Sequence, residues 1–255
     1  MDVCQIELTN YCNLQCRGCT GSGAKRNRGL MSPKIFRASL DVCEKTGVKE
    51  VWLQNWGESL LHPHLMVYLS FASKKFTAGL ITNGTLLTPY MVSYLKFNGL
   101  SKLDISINSQ TPQGLVPYLL EIYKVANMVG LDCYIRSVVF NLDDYMKLKE
   151  ELGDLKVRWQ RGMIIDESKI RTSDCPAIDK VFVIYYDGTI VPCCRVIDGE
   201  ISYGNVTWGK INSNIDKGRM DLHKQLESDH ERPPCSHCFE VDFECPELSY
   251  KLSGS

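Results

Sequence analysis

Short apolar, β-branched stretches alternate with longer amphipathic ones along the first two-thirds of the chain. Six of the short stretches predict strands: Val3–Leu8, Glu50–Leu53, Gly79–Thr82, Lys102–Ile107, Cys133–Val139 and Lys156–Trp159. The segments between them carry helix punctuation. Ser32-Pro33 offers a capping serine and a first-turn proline, and Gly47 offers a stop. Thr88-Pro89 and Gly99 repeat the device. Pro117 and Gly130 bracket a third helix, with Leu120, Val125 and Met128 expected on its buried face. His62–Lys74 and Asp143–Leu152 complete the helical set. Strand and helix in strict alternation predict βα units around a parallel sheet. A complete eight-unit barrel takes about 250 residues. The expectation is therefore a six-unit partial barrel over residues 1–165, its open side covered by substrate or by the C-terminal region.

The pattern changes after residue 170. Val181–Tyr186, the turn Asp187-Gly188 and Thr189–Pro192 predict a β-hairpin, and a helix follows near Met220–Glu227. The remainder is rich in loops and thiols. Residues 170–255 are expected to form a small second unit held together by metal.

Composition narrows the class. The 255 residues are 44% hydrophobic and 23% charged, with a net charge of −1. No basic run supports nucleic-acid binding. The N-terminus lacks the pattern of a signal peptide, and no apolar run is long enough for a membrane helix. The chain reads as cytoplasmic, and a reducing compartment does not hold twelve cysteines as disulfides. Cys4, Cys43 and Cys133 stand alone and are expected as small buried hydrophobes. The others cluster, as metal ligands do.

Residues 12–19 read CNLQCRGC, placing Cys12, Cys16 and Cys19 just after the first strand, where βα structures build active sites. A structural zinc takes four ligands. An iron–sulfur cube takes four thiolates, so three leave one iron with open coordination. This spacing after the first strand of a partial barrel resembles the radical S-adenosylmethionine (radical SAM) enzymes. The resemblance implies that the open iron takes the amino and carboxylate groups of SAM. Reduction then yields methionine and a 5′-deoxyadenosyl radical. Gly18 stands where the family usually has an aromatic residue. Trp56-Gly57-Glu58-Ser59 falls where the family contacts the SAM amino group, keeping Gly57 and Glu58. Ser106 and Asn108 end the fourth strand, where the family meets the SAM ribose and carboxylate. Arg136 on the fifth strand is a candidate fork for the SAM carboxylate.

Cys175, Cys193, Cys235 and Cys238 make a second set of four thiols, with Cys194 competing for the place of Cys193. A four-cysteine zinc site is the alternative for these residues. Their layout resembles the auxiliary-cluster domains called SPASM, or twitch in the shorter one-cluster form favoured here. The resemblance implies two [4Fe–4S] clusters in all and a flavodoxin- or ferredoxin-type reductant. The size and tail are similar to butirosin-type aminocyclitol dehydrogenases. The implied reaction is oxidation of a small carbinol. Modification of a ribosomal peptide, by thioether, crosslink or epimerisation, is the alternative. A non-catalytic zinc or iron–sulfur module is the second. The chain begins at the first barrel strand, with no leader-binding domain expected. Epimerisation would draw on a spare thiol, Cys194, Cys245 or Cys133. Dehydrogenation would draw on Asn55, His62, Arg161 or Tyr134. His62 and His64 are otherwise expected as cap or surface residues.

Overall fold

The structure is a computed structural model that describes residues 1–16, 19–108, 111–112, 114–139, 142–161, 175, 178–208 and 211–228. Six parallel strands come first: β1 (Val3–Ile6), β2 (Glu50–Trp52), β3 (Thr77–Thr82), β4 (Lys102–Ser106), β5 (Asp132–Val139) and β6 (Val157–Arg161). The helices between them are α1 (Pro33–Lys45), α2 (Leu65–Ala72), α3 (Pro89–Phe97), α4 (Val116–Met128) and α5 (Leu142–Leu152). Then follow β7 (Val181–Ile184), β8 (Thr189–Val191), β9 (Gly204–Asn205) and α6 (Ile211–Ser228). The strands form one sheet in the order β6-β5-β4-β3-β2-β1-β7-β8-β9.

Local chemistry explains the elements. Ser32 Oγ accepts the Ile35 N–H at 3.3 Å and Thr88 Oγ1 accepts the Met91 N–H at 3.1 Å, each ahead of a first-turn proline. Gly99 follows α3 with φ +95°, and a Cβ there would lie 2.2 Å from Ser73 Oγ. On α4 the buried face is Leu119, Ile122, Tyr123 and Ala126, at helical spacing, whereas Met128 is 85% exposed. Met128 lies two positions beyond Ala126 and so turns to the opposite side. That corrects its expected burial; Leu120 and Val125 pack partly buried against the core.

Alternation along the strands sorts residues between two faces. Cys4, Ile6, Leu8, Val51, Leu80, Leu103, Ile105, Cys133 and Ile135 join the main apolar core with the helices. Cys4, Cys43 and Cys133 are fully buried, as expected of isolated thiols. The opposite face, the lumen, carries Gln5, Glu7, Glu50, Trp52, Asp104, Tyr134, Arg136 and Arg158 by the same parity and register.

One connection was not expected. β7 pairs in parallel with β1, Val3 against Val181 through Ile6 against Ile184. The hairpin of β7 and β8 therefore continues the barrel sheet past its first strand. A second, smaller apolar cluster surrounds it: Ile178, Val183, Tyr185, Val191, Val196, Ile201, Leu222 and Leu226. Among the described residues no helix is long and apolar enough to cross a membrane.

Candidate functional site

The loop after β1 is clasped at its base. Thr9 and Leu30 form an antiparallel bridge, and Thr9 Oγ1 donates to Gly29 O at 2.8 Å. Asn10 donates to Asn27 O at 2.9 Å and accepts the Gly29 N–H at 2.8 Å. Cys12, Cys16 and Cys19 project from this clasped loop, Cys12 exposed and the other two half-buried. The Cys19 N–H donates to Cys16 O at 3.1 Å, and the Leu14 N–H points at Cys12 Sγ at 3.5 Å. Burial pushes the Cys12 and Cys16 thiols up, and the negative charge of their neighbours, Cys19 among them, adds to it. Each thiolate thus discourages the next, which a shared cation reverses. Among the described residues no three Cys, His, Asp or Glu side chains converge as a finished metal tripod. The donor set itself, three soft thiols on one clasped loop, suits iron–sulfur ligation. Gly18 lies outside the described residues.

The seat beneath the loop comes from the ends of β2 and β3. A Cβ on Gly57 would lie 2.1 Å from Thr9 O, so only glycine lets this segment meet the clasp. Gly21 likewise sits against Trp56, 2.7 Å from its Cβ for an added methyl. Glu58 is fully buried and turned inward. Its carboxylate accepts Leu60 N–H and Thr82 Oγ1–H at 3.0 Å and Asn83 N–H at 2.9 Å. Burial raises its proton affinity, and these donors oppose that. The Glu58 side chain is therefore committed to joining β2 to β3, and its backbone N–H donates to Tyr11 O at 2.8 Å. Asn83 continues the chain of contacts to the loop. Its Nδ2 donates to Asn13 Oδ1 at 3.0 Å and lies 3.9 Å from Cys12 Sγ. Thr85 Oγ1 accepts from Asn13 at 2.7 Å. Sequence reasoning missed Asn83 and Thr85; a polar Thr-Asn-Gly-Thr run at the end of β3 was the available signal. Two buried atoms here, Asn55 Oδ1 and Trp56 Nε1, have no partner among the described residues, leaving an acceptor and a donor for a bound group.

Other candidates divide. Ser106 and Asn108 sit half-buried at the end of β4, and Asn108 is turned back by Thr111, whose Oγ1 accepts its N–H at 3.0 Å. Arg136 faces the lumen, 16% exposed, and is no surface residue. Its Nε and Nη2 donate to Asp104 Oδ2 at 3.0 and 2.7 Å. His62 and His64 are cap residues, His62 ending the short Ser59–Leu61 turn and His64 opening α2, and His62 is buried. Its Nδ1 accepts the His64 N–H at 3.2 Å, so Nε2 carries the proton given to Met31 O at 3.1 Å. Both nitrogens are thus engaged in holding the chain, which leaves His62 none for acid–base work. Cys133 points to the helices, and burial pushes its thiol up to about 12, away from any role in the lumen. Arg161 ends β6, with its side chain outside the described residues.

Of the second thiol group, Cys175, Cys193 and Cys194 are half-buried and pack against the smaller apolar cluster. Cys235, Cys238 and Cys245 lie outside the described residues. A latch joins this region to the first loop. Arg26 grips Glu7 with Nη1 and Nη2 at 2.9 and 3.0 Å, and its Nε donates to Ile197 O at 2.6 Å. Its guanidinium lies 3.6 Å from the centre of the Tyr185 ring. The Lys25 and Arg26 N–H groups both donate to Asp198 Oδ1, at 2.6 and 3.1 Å.

Comparison with known proteins agrees with this arrangement. Residues 6–141 match the radical SAM superfamily, and residues 175–239 match SPASM, an iron–sulfur cluster-binding domain. A cofactor-modifying protein for tungsten-containing aldehyde ferredoxin oxidoreductase, from Pyrococcus furiosus, is 32% identical over 160 residues. That match covers 61% of this chain and 41% of the relative, so the chain spans less than half of it. Among solved structures, BtrN in complex with AdoMet and 2-DOIA superposes with a TM-score of 0.69 at 17% identity, covering 94% of this chain and 95% of BtrN. SuiB of Streptococcus suis bound to S-adenosylmethionine gives 0.61 at 16% identity, covering 89% of this chain and 66% of SuiB. These likenesses share the fold. The two domain types carry SAM, a SAM-binding [4Fe–4S] cluster and an auxiliary cluster as their cofactors. A loop with three thiols at the mouth of a partial barrel, backed by a thiol-bearing extension of the same sheet, is thus matched by sequence on both sides, and the chain belongs to the radical SAM enzyme superfamily, with a SPASM domain behind its core.

Proposed function

We propose that this chain oxidises a small carbinol by two electrons, with Cys12, Cys16 and Cys19 holding the SAM-binding cluster. Cys175, Cys193 or Cys194, Cys235 and Cys238 would hold the auxiliary cluster, with a flavodoxin- or ferredoxin-type protein as reductant in the cytoplasm. Bound and reduced, the first cluster and SAM supply a 5′-deoxyadenosyl radical that removes a hydrogen atom from substrate. The chain's own work is positioning. The clasp of Thr9, Asn10 and Gly29 fixes the base of the thiol loop, and Asn83 and Thr85 fix its Asn13 flank. Gly57, Ser106 and Asn108 line the proposed SAM seat, with Glu58 holding that seat's backbone in place.

The observation that carries this reading is the Arg26 latch. It holds the first thiol loop against the Ile197–Asp198 segment, just after Cys193 and Cys194. A second electron acceptor beside the barrel mouth is what a net oxidation requires. The test is deuterium transfer from carbon-labelled candidate carbinols into 5′-deoxyadenosine, with the ketone or aldehyde as product. Transfer only from a peptide substrate would favour peptide modification and end the carbinol reading.

A further inference from the structure

Among the described residues, the lumen wall formed by β4, β5 and β6 holds more positive than negative charge at one height. Register sets Asp104 beside Tyr134, and Ser106, Arg136 and Arg158 abreast. Asp104 is fully buried and receives both guanidinium groups. Arg136 donates from Nε and Nη2, and Arg158 Nη1 donates to Oδ1 and Oδ2 at 3.3 and 3.1 Å. Among the described residues one carboxylate thus answers two fixed cations. Nearer the start of the strands the charges balance. Glu50 pairs with Lys102 and also accepts from the Trp52 indole, and Asp132 and Lys156 match by count.

An unmatched guanidinium in a partly desolvated lumen is costly unless a ligand anion joins it. Arg158 is placed for such a ligand. Its side chain is 33% exposed, and its guanidinium lies 3.8 Å from the centre of the Tyr134 ring, which fixes its plane. Among the described residues only Nη1 is engaged, on Asp104, leaving the Nε and Nη2 edge, the geometry that grips a carboxylate or phosphate in two places. The SAM carboxylate does not account for this edge. Arg136, abreast of Ser106 in the proposed SAM seat, is the fork expected for that carboxylate, and the Arg158 edge lies one strand farther from the seat.

We propose that Arg158, stacked on Tyr134, forms an anion subsite beside the SAM seat that takes a carboxylate or phosphate carried by a small-molecule substrate. This rests on the lumen being the substrate site of the proposed function and narrows its carbinol to an acidic one. An ammonium-bearing carbinol meets the same wall with repulsion.

Arginine modification by phenylglyoxal, read by peptide mass spectrometry on the anaerobically reconstituted protein, tests it. Exposed Arg37 serves as the internal control. With SAM saturating, inorganic phosphate or succinate should protect Arg158 saturably, slowing its modification about tenfold at ten times the dissociation constant. Glycerol and ethanolamine should give none. The thermal shift produced by the same anions should vanish in Arg158→Gln and persist in part in Arg158→Lys. Which anion binds more tightly separates a phosphate ester from a carboxylic acid. Full protection by SAM alone, with no further effect of anions, would overturn the proposal, as would no protection by any anion. Release of 5′-deoxyadenosine by the same preparation is scored separately. Its absence would count against the proposed function, while the protection pattern still decides the subsite.

Discussion

Glu7 and Asp104 are both fully buried carboxylates on the lumen face, and they are answered differently. Glu7 meets one guanidinium edge-on, both Arg26 nitrogens to both oxygens, and one amide, Asn55 Nδ2 at 2.8 Å. Charge is matched one to one. The rest of Arg26 is spent on Ile197 O and the face of Tyr185. Asp104 meets two guanidinium groups, and one of these keeps an edge with no partner among the described residues. The same residue types make a closed latch in one place and an open wall in the other. The ratio of cations to carboxylates, together with what the leftover donors face, separates a structural ion pair from a surface prepared for a ligand.

Breaking the latch should have the largest effect. Arg26→Ala leaves Glu7 charged and buried without its partner, a loss of about 3–5 kcal/mol in denaturant unfolding. A loss below about 1 kcal/mol would show that the pair is as weak as a surface one. Asp104→Asn comes next, because it leaves two guanidinium groups with no carboxylate. Its melting temperature should fall, and inorganic phosphate should restore more of it than the same phosphate adds to the unaltered chain. Equal gains in both would mean that the wall does not collect anions. Arg158→Gln should change stability by about 1 kcal/mol or less, since Arg136 still answers Asp104. Substrate affinity should carry its effect. Smallest is the pH response of His62, a buried group outside the lumen. Burial holds its imidazole below its ordinary value of 6.5. The unfolded chain then binds the proton more readily than the folded one. The stability at stake is present above pH about 6.5 and is lost as pH falls through the lower folded value. His62→Gln should flatten that part of the stability curve, and an unchanged slope would remove His62 as its source.

What was legible in the sequence was what local signals encode. Ser32-Pro33 and Thr88-Pro89 fixed where α1 and α3 begin, because a cap and a proline act within one turn. The Cys12, Cys16 and Cys19 spacing pointed to its cofactor because ligands to one cluster sit on one short loop. Long-range partnerships were not legible. Nothing near Val181 tells that β7 lies beside β1, a pairing that closes across most of the chain. Arg26 looked like one more basic residue in a Gly-, Lys- and Arg-rich loop, although a glutamate inside the apolar Ile6–Leu8 run already called for a buried partner. Lys102 and Asp104, alternating with Leu103 and Ile105, likewise announced a polar lumen that the strand assignment alone did not use. Glu58 follows β2 in the chain, but its direction was hidden, because the donors that turn it inward come from the end of β3.

The most direct test of the central claim is SAM cleavage by the anaerobically reconstituted protein under dithionite. The unaltered chain should release 5′-deoxyadenosine and methionine, and Cys12→Ala, Cys16→Ala and Cys19→Ala should release none. Zinc in place of iron with no cleavage, or cleavage that survives loss of any one of these three thiols, would contradict it.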